Sequence, residues 1–261
     1  MRIIVLVFLF SLKLTLVNAQ ERKAIELQYL SKNFLDFDVE GIDKLYLFDN
    51  NSKSLYIVGD KEDIKETSKK VKADIVLKIP SLEDEYYFQD KKQDTLYFKD
   101  VIIQDAFYVK EKTPKFIWLL ANEYKEIQGK KLQKATTTFR GRTYTAWCDL
   151  ENPISVGPWK FNNLPGLAYS IIDETPHFYY EWHLLQMIEI DFEKIPVLEK
   201  EPQKYIGIKE FIIERAKVYE KFEERNRART VNVPGLEEIS SDSKSIDRKI
   251  RANEIKYEWE E

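Results

Sequence analysis

Short apolar and aromatic runs recur along this chain between clusters of Asp, Asn, Gly and Lys. Residues 45–48 and 55–58 flank 49–52, whose Asp, Asn and Ser favour turns, so the stretch predicts a β-hairpin. Residues 86–88 and 96–98, separated by 89–95, predict a second. A third runs from 132–139 through Arg140-Gly141 to 142–148, and Thr136, Thr137 and Thr138 are stiff about χ1, which suits a strand. Residues 23–30, 101–109, 116–120, 167–172 and 178–192 read as further strands, and strands joined by tight turns pair antiparallel.

The period changes near the end. Ile208, Phe211, Ile212, Ala216, Tyr219 and Phe222 recur every three to four residues, with Lys, Glu and Arg on the other face. That spacing predicts an amphipathic helix over 208–222. Residues 60–72 are charged and read as a loop or short helix. Residues 231–261 are highly charged and broken by Pro234-Gly235 and Ser240-Ser241, which predicts a weakly ordered tail with a short helix near 246–255. The expected fold class is therefore α+β and mostly β. It is a single curved antiparallel sheet closing toward a half-barrel, with the C-terminal helix covering part of one face. One β-rich domain, 20–230, is expected.

The N-terminus has a different pattern. Arg2 precedes an apolar run over 3–12 that only Ser11 interrupts, Lys13 follows, and Val17-Asn18-Ala19 offers small or modest side chains for cleavage. This predicts a signal peptide, 1–19, cut near Ala19 to leave Gln20 first. The run falls short of the roughly 20 apolar residues of a membrane span. Export to the periplasm or cell surface is the expectation. Cys148 is the only cysteine, so no cysteine follows the leader to take a lipid, and no internal disulfide can form. About 240 residues suffice for a core without one. The 41 basic and 45 acidic residues give a net charge of −4, more acidic once Arg2 and Lys13 leave, and no basic stripe invites nucleic acid. The 5 Trp, 15 Tyr and 15 Phe favour a pleated sheet over a helical bundle.

Signatures of common chemistries are missing: no Gly-x-Ser-x-Gly elbow, phosphate loop, His-Glu-x-x-His or Cys-x-x-Cys occurs. His177 and His183 would share one face of a strand about 20 Å apart, too far to ligate one metal. Cys148 has no neighbouring histidine to activate it and reads as a small apolar residue at a strand end. Acids are abundant, as at 83–85, 173–174 and 199–201, and close pairs arise by chance. No catalytic residue, cofactor or metal is assigned.

Residues 140–172 are the most unusual stretch. Pro165-Gly166 fits a type II turn, with Gly166 supplying a positive φ. Gly157-Pro158 and Asn162-Asn163 add bends on the way. The picture is a ribbon folded back on the sheet, pinned by Trp147, Trp159, Phe161, Leu164 and Leu167. Gly141-Arg142, Ala146-Trp147, Ile154-Ser155, Gly157-Pro158, Phe161 and Leu164-Pro165-Gly166-Leu167 together resemble the signature of the GLPGLI family of exported Bacteroidota proteins. The resemblance extends upstream through Trp118, Ile127, Gly129 and Lys134-Ala135 and covers about residues 20–200. Asn163 stands where the family name has glycine and Ala168 where it has isoleucine; Leu132 falls where many members carry cysteine, and Cys148 where an aromatic is commoner. Asparagine tolerates a glycine-like backbone better than most residues.

The family has no established activity, so no catalytic residue carries over. The resemblance implies a cell-envelope protein, with an outer-membrane receptor as an expected partner. The curved sheet is similar in outline to that of periplasmic lipoprotein carriers, which implies a lipid-like ligand by architecture alone. The leading expectation is a non-enzymatic protein that binds a hydrophobic ligand or an outer-membrane partner on its concave face through Arg142, Trp147, Trp159 and Phe161. The alternatives are an envelope hydrolase using a carboxylate pair, and a structural or assembly protein docking through its tail from Val231.

Overall fold

A computed structural model describes residues 22–34, 38–59, 85–175, 179–196, 204–230 and 254–260. The expected leader, the segment 60–72, His177, and 231–253 with most of the expected 246–255 helix lie outside the described residues.

The alternating runs become strands in series: β1 (Lys23–Phe34), β2 (Asp38–Phe48), β3 (Lys53–Ile57), β4 (Tyr86–Asp90), β5 (Thr95–Ile102) and β6 (Asp105–Lys112). Then follow β7 (Leu119–Ile127), β8 (Lys130–Phe139), β9 (Arg142–Asp149), β10 (Leu167–Asp173) and β11 (Tyr179–Asp191). The two-residue β12 (Ile206–Gly207) leads into helix α1 (Ile208–Thr230). All strands join one sheet in the order β12-β6-β5-β4-β3-β2-β1-β11-β10-β9-β8-β7, antiparallel except where β12 runs parallel to β6. The protein is mostly β, as expected, with one open curved sheet and one C-terminal helix.

Three expected hairpins form where turn chemistry announced them. Asp49, Asn50 and Asn51 all take positive φ, and Arg140 and Gly141 have φ +44° and +85°. One strand expectation is corrected. Residues 101–109 do not form a single strand but are split between β5 and β6 by a tight turn at Ile103, φ +63°. A β-branched residue rarely adopts that conformation, so nothing in the residue types announced it. The expected strand 116–120 is also corrected: residues 116–118 belong to the connection before β7, which starts at Leu119 and runs on to Ile127 through an exposed, polar second half that leaves no alternation to read.

The curvature follows from chain connectivity. β6 and β7 stand ten strands apart in the order, which a flat sheet at about 4.8 Å per strand would separate by about 48 Å. Only residues 113–118 join them, a reach of about 25 Å at most. The sheet must therefore curl until its two ends approach. Inside the curl lies the main core: Leu27, Tyr29, Leu45, Tyr56, Tyr87, Phe98, Tyr144, Ile171, Trp182 and others. Helix α1 closes one side of it by setting Phe211 edge-on against Phe98 and Phe107. Ala216 and Phe222, expected on the buried face, are exposed, and Phe211 is the helix residue that goes deepest.

The ribbon between β9 and β10 fills the middle. Its backbone folds on itself through Val156 and Asn162, with Gly157 N–H donating to Phe161 O at 3.0 Å and Leu164 N–H to Ser155 O at 3.1 Å. Asn163 takes φ +52°, the glycine-like conformation expected of it. Gly166 is different: it lacks a positive φ, and no type II turn forms. It is glycine because a Cβ there would lie 2.1 Å from Asp149 O and 2.9 Å from Leu150 Cα. Leu164 and Leu167 are buried on either side of this contact.

Candidate functional site

Strand pairing decides which charged side chains enter the curl. Opposed residues of an antiparallel pair point to the same face. Tyr29 pairs with Asp43, Leu45 with Tyr56, Tyr56 with Tyr87, and Tyr87 with Phe98, so all of these face inward. The same parity sends Glu85, Asp100, Arg142 and Asp173 inward at one end of the strands. A polar layer forms there beneath the aromatic core, closed by Arg215 of helix α1.

Three assemblies make up this layer. In the first, Asp43 accepts hydrogen bonds from Tyr56 Oη and, at 2.7 Å, from Gly59 N–H, while Trp182 Nε1 donates to Tyr56 Oη at 3.0 Å. Burial raises the Asp43 carboxyl above its usual range. In the second, Glu85 lies near Asp100 where β4 meets β5, and Glu85 accepts a hydrogen bond from Val101 N–H at 3.2 Å. Burial, with Asp100 alongside, pushes Glu85 up to about 8, and burial also raises Asp100 against the pull of Arg215 and Lys160. The third is the fully buried ion pair of Arg142 and Asp173, with Tyr180 against the guanidinium at 5.5 Å.

A fourth cluster sits where the two ends of the sheet meet. Arg140, in the β8–β9 turn, donates to Glu111 of β6 at 2.8 Å, to Glu254 at 2.5 Å and to Glu258 at 3.0 Å. Lys160, at the ribbon tip, donates to the same Glu111 at 2.6 Å and Glu254 at 2.9 Å. Four of the five side chains are buried; Glu258 is exposed. Burial opposes ionisation of Glu254, but Lys160 and Arg140 outweigh it and hold that carboxyl below the usual range. The strap 113–118 is tied down beside this cluster: Trp118 Nε1 donates to Asn162 O at 3.0 Å, and Asn162 Nδ2 to Pro114 O at 2.9 Å.

The four residues expected to touch a ligand are thus placed very differently. Phe161 is wholly buried, with its ring 5.2 Å from Trp159, 4.9 Å from Tyr144 and 5.4 Å from Trp182. Burying that ring is worth about 2–3 kcal/mol, so it belongs to the fold's stability. Trp159, at φ +53°, is also buried, and Arg142 spends its charge on Asp173. Trp147 points to the opposite face of β9, half-exposed, with the Lys125 ammonium 5.4 Å from its ring. The structure brings Trp159 and Phe161 together, buries Arg142 nearby and holds Trp147 apart. Cys148 is buried with its thiol pushed up to about 12, an inert group. His183 is occupied by Glu181 at 2.9 Å and Ser170 at 3.2 Å. Among the described residues, no three His, Cys, Asp or Glu side chains are arranged to hold a metal, and no helix is long and apolar enough to cross a membrane.

Sequence reasoning missed Asp43, Glu85, Asp100, Glu111, Arg140, Lys160, Arg215 and Glu254. A signal existed for some of them. Asp43, Asp100 and Glu111 each lie two residues from an inward apolar side chain, namely Leu45, Phe98 and Val109, and so share its face.

The surface carries a contrasting feature. On β7, Leu119 is 66% exposed, and Leu120 and Tyr124 are each 51% exposed, next to exposed Ile117. β7 pairs only with β8 among the described residues, so its other edge is open. On β11, Leu185, Met187 and Ile188 are exposed where the strand runs past the end of its pairing with β10. Met187 pairs with the wholly buried Leu27 and so belongs to the inward face, which opens to solvent at that end.

No known family profile matches the chain, and no curated protein does. Among solved structures it is similar to PNGF-II, at TM-score 0.51 and 14% identity in one crystal form and 0.48 and 14% in another, over 75% of this chain. The chain spans about a third of the length of PNGF-II, 34% and 33% in the two forms. A LolA-superfamily protein from Nitrosomonas europaea aligns at TM-score 0.27 and 7% identity over 66% of this chain and 87% of that one. The likeness at 0.51 shows the fold alone.

Proposed function

We propose that this chain is an exported, non-enzymatic binding protein of the cell envelope, of GLPGLI type, that engages an outer-membrane partner along the open β7 edge of its sheet. One observation carries the reading: large apolar side chains face solvent at that edge, while the expected concave site is occupied by the chain's own ribbon and helix. An open strand offers a row of backbone donors and acceptors to a partner strand, and alternate apolar side chains give it grip. The signal-peptide pattern supports export, and the Leu164-Pro165-Gly166-Leu167 motif with its upstream residues supports the family.

The carboxylate pair gives the hydrolase alternative less support. Burial raises both the Glu85 and Asp100 carboxyls, whereas a glycoside-cleaving pair flanks a bound sugar. A hydrophobic ligand has one favourable observation, the solvent-open inward face at Met187 beside Leu27.

The test is site-specific photo-crosslinking in the native envelope, with the reactive side chain at Leu120 or Tyr124 and at exposed Thr143 as control. One outer-membrane protein should be captured from β7 and none from Thr143, with capture abolished by Leu119→Glu. Equal yields at both positions would end the proposal. Intact mass measured under gentle conditions tests the ligand reading, since a co-purifying lipid-sized mass would move the site to the Met187 opening. N-terminal sequencing that begins at Gln20 supports export, and an uncut chain in the cytosol refutes it.

A further inference from the structure

The last described residues, 254–260, add no strand to the sheet and no turn to helix α1; they lie on the β8–β9 turn in the manner of a bound peptide. Ile255 and Lys256 N–H both donate to Arg140 O, at 2.7 and 2.9 Å. Glu254 accepts from Arg140 and Lys160, and Glu258 from Arg140. Tyr257 is buried between them: its hydroxyl accepts from Arg215 at 3.2 Å, and the Arg140 guanidinium lies 5.2 Å from its ring. Trp259 stacks on Tyr257 at 4.9 Å, with the Lys209 ammonium 4.9 Å from the Trp259 ring. Within the segment, Tyr257 N–H donates to the Glu260 carboxylate and Glu260 N–H to Tyr257 O, which preshapes it.

The receiving surface fits this segment closely. Gly141 is the point of nearest approach, where a Cβ would fall 3.1 Å from both Ile255 Cβ and Lys256 N. Arg140, Lys160 and Arg215 come from the β8–β9 turn, the ribbon and helix α1, all parts of the main fold. With the segment removed, Glu254 and Glu258 leave together, and among the described ion pairs Arg140 and Lys160 keep only Glu111. Two cations facing one carboxylate leave an excess of positive charge, so this surface favours an acidic occupant. The contacts are confined to 254–260 and do not depend on the route by which the segment arrives.

We propose that the Arg140–Lys160–Arg215 surface is a peptide-recognition site for an extended acidic segment of Glu-x-x-Tyr-Glu pattern, filled here by the chain's own end and equally open to that segment from a second copy of the chain. Two carboxylates flanking one buried aromatic ring define the specificity. Exchange of such an end segment between copies is a low-cost route to a dimer.

A protease site placed between Glu238 and Ser243 of the full chain allows the segment to be cut free while still bound. A fluorescent peptide of residues 252–261 is then followed by anisotropy on intact and cut protein. The cut protein should take up the peptide at concentrations at least tenfold lower than the intact protein, where the tethered segment competes. A peptide carrying Glu254→Gln and Tyr257→Ala should lose this binding. If the cut protein keeps its circular dichroism and does not exchange, or loses its fold on cutting, the segment is a fixed part of the structure and the proposal fails. Sedimentation of intact protein at rising concentration reads the second copy. A dimer that free peptide dissolves supports exchange between copies, and a monomer throughout removes that half.

Discussion

Arg140 and Arg142 stand two residues apart on one hairpin, and both are buried, yet they solve the cost of burial in opposite ways. Arg142 opens β9 and pairs with Asp173 at the end of the neighbouring β10; both side chains are fully sealed. Arg140 lies in the turn and gathers Glu111, Glu254 and Glu258 from β6 and the C-terminal segment. The first pair joins strands that are already neighbours. The second joins the two ends of the sheet, the ribbon tip and the chain end, none of which adjoin in sequence. A charge set by local pairing is part of the fold, whereas one completed from distant segments has the makings of a site.

The largest effect should come from breaking the sealed pair. Arg142→Met leaves Asp173 buried without its counter-charge, with the Thr175 N–H still donating to it at 2.9 Å, and should cost about 3–5 kcal/mol in urea unfolding. Burial already raises the Asp173 carboxyl, so the variant can take up a proton there, which draws the loss toward the lower figure. Replacing both, as Arg142→Met with Asp173→Leu, should recover most of the stability. A single substitution costing under about 1 kcal/mol would remove the distinction drawn between the two arginines.

Arg140→Met should cost less, about 1–3 kcal/mol, because Lys160 still holds Glu111 and Glu254. Its distinctive mark should be release of the chain end, read as a change in Trp259 fluorescence and faster amide exchange at Ile255 and Lys256. Arg142→Met should leave that region's exchange unchanged relative to the global rate. Equal release in both variants would mean that the two arginines act as one unit.

The pH dependence separates the two ends of the polar layer. Glu85 has a folded value raised to about 8, so the folded state holds a proton there that the unfolded state has already lost. Its stabilisation is present at pH below the ordinary carboxylate range and is lost as pH rises toward and through about 8. Glu254 has the opposite sign: its value is lowered, so its contribution is present at neutral pH and fades as pH falls below the ordinary range. Urea midpoints should therefore fall between pH 6 and 8.5, and Glu85→Gln should flatten that decline. Glu254→Gln should flatten the acid limb instead. A Glu85→Gln variant that keeps the full alkaline decline would show that the Glu85 carboxyl does not control it.

Legibility in the sequence followed how local each cause was. Hairpins turned by Asp49-Asn50-Asn51 or Arg140-Gly141 could be read because a few adjacent residues determine them. The Ile103 turn could not, since its conformation runs against the preference of the residue that adopts it. The curved sheet followed from hairpins in series, but the degree of curl depends on the short strap 113–118, whose meaning appears only once strand order is known. The ribbon's aromatic residues were recognisable as unusual, but that Trp159 and Phe161 would lie buried in the core was not. The ionic cluster was hidden because Glu111, Arg140, Lys160 and Glu254 come from four separate stretches of chain.

The smallest effect tests how the ribbon delivers Lys160 to that cluster. Asn163 holds φ +52° three residues after Lys160, in the bend that returns the chain toward Leu164. For a residue with a Cβ this conformation costs about 1–2 kcal/mol, less for asparagine, and nothing for glycine. Asn163→Gly should therefore change stability by no more than about 0.5 kcal/mol, since relief of strain is offset by a looser unfolded chain. Asn163→Val should cost about 1–2 kcal/mol, because a β-branched side chain fits the left-handed region worst. The two variants also bear on the contrast between the arginines. If the bend only positions Lys160, Asn163→Val should loosen the chain end as Arg140→Met does, with smaller amplitude, and leave the Arg142–Asp173 pair intact. Loss of that sealed pair first would mean that the ribbon supports the fold's centre, and that the cluster at Arg140 merely reports on it.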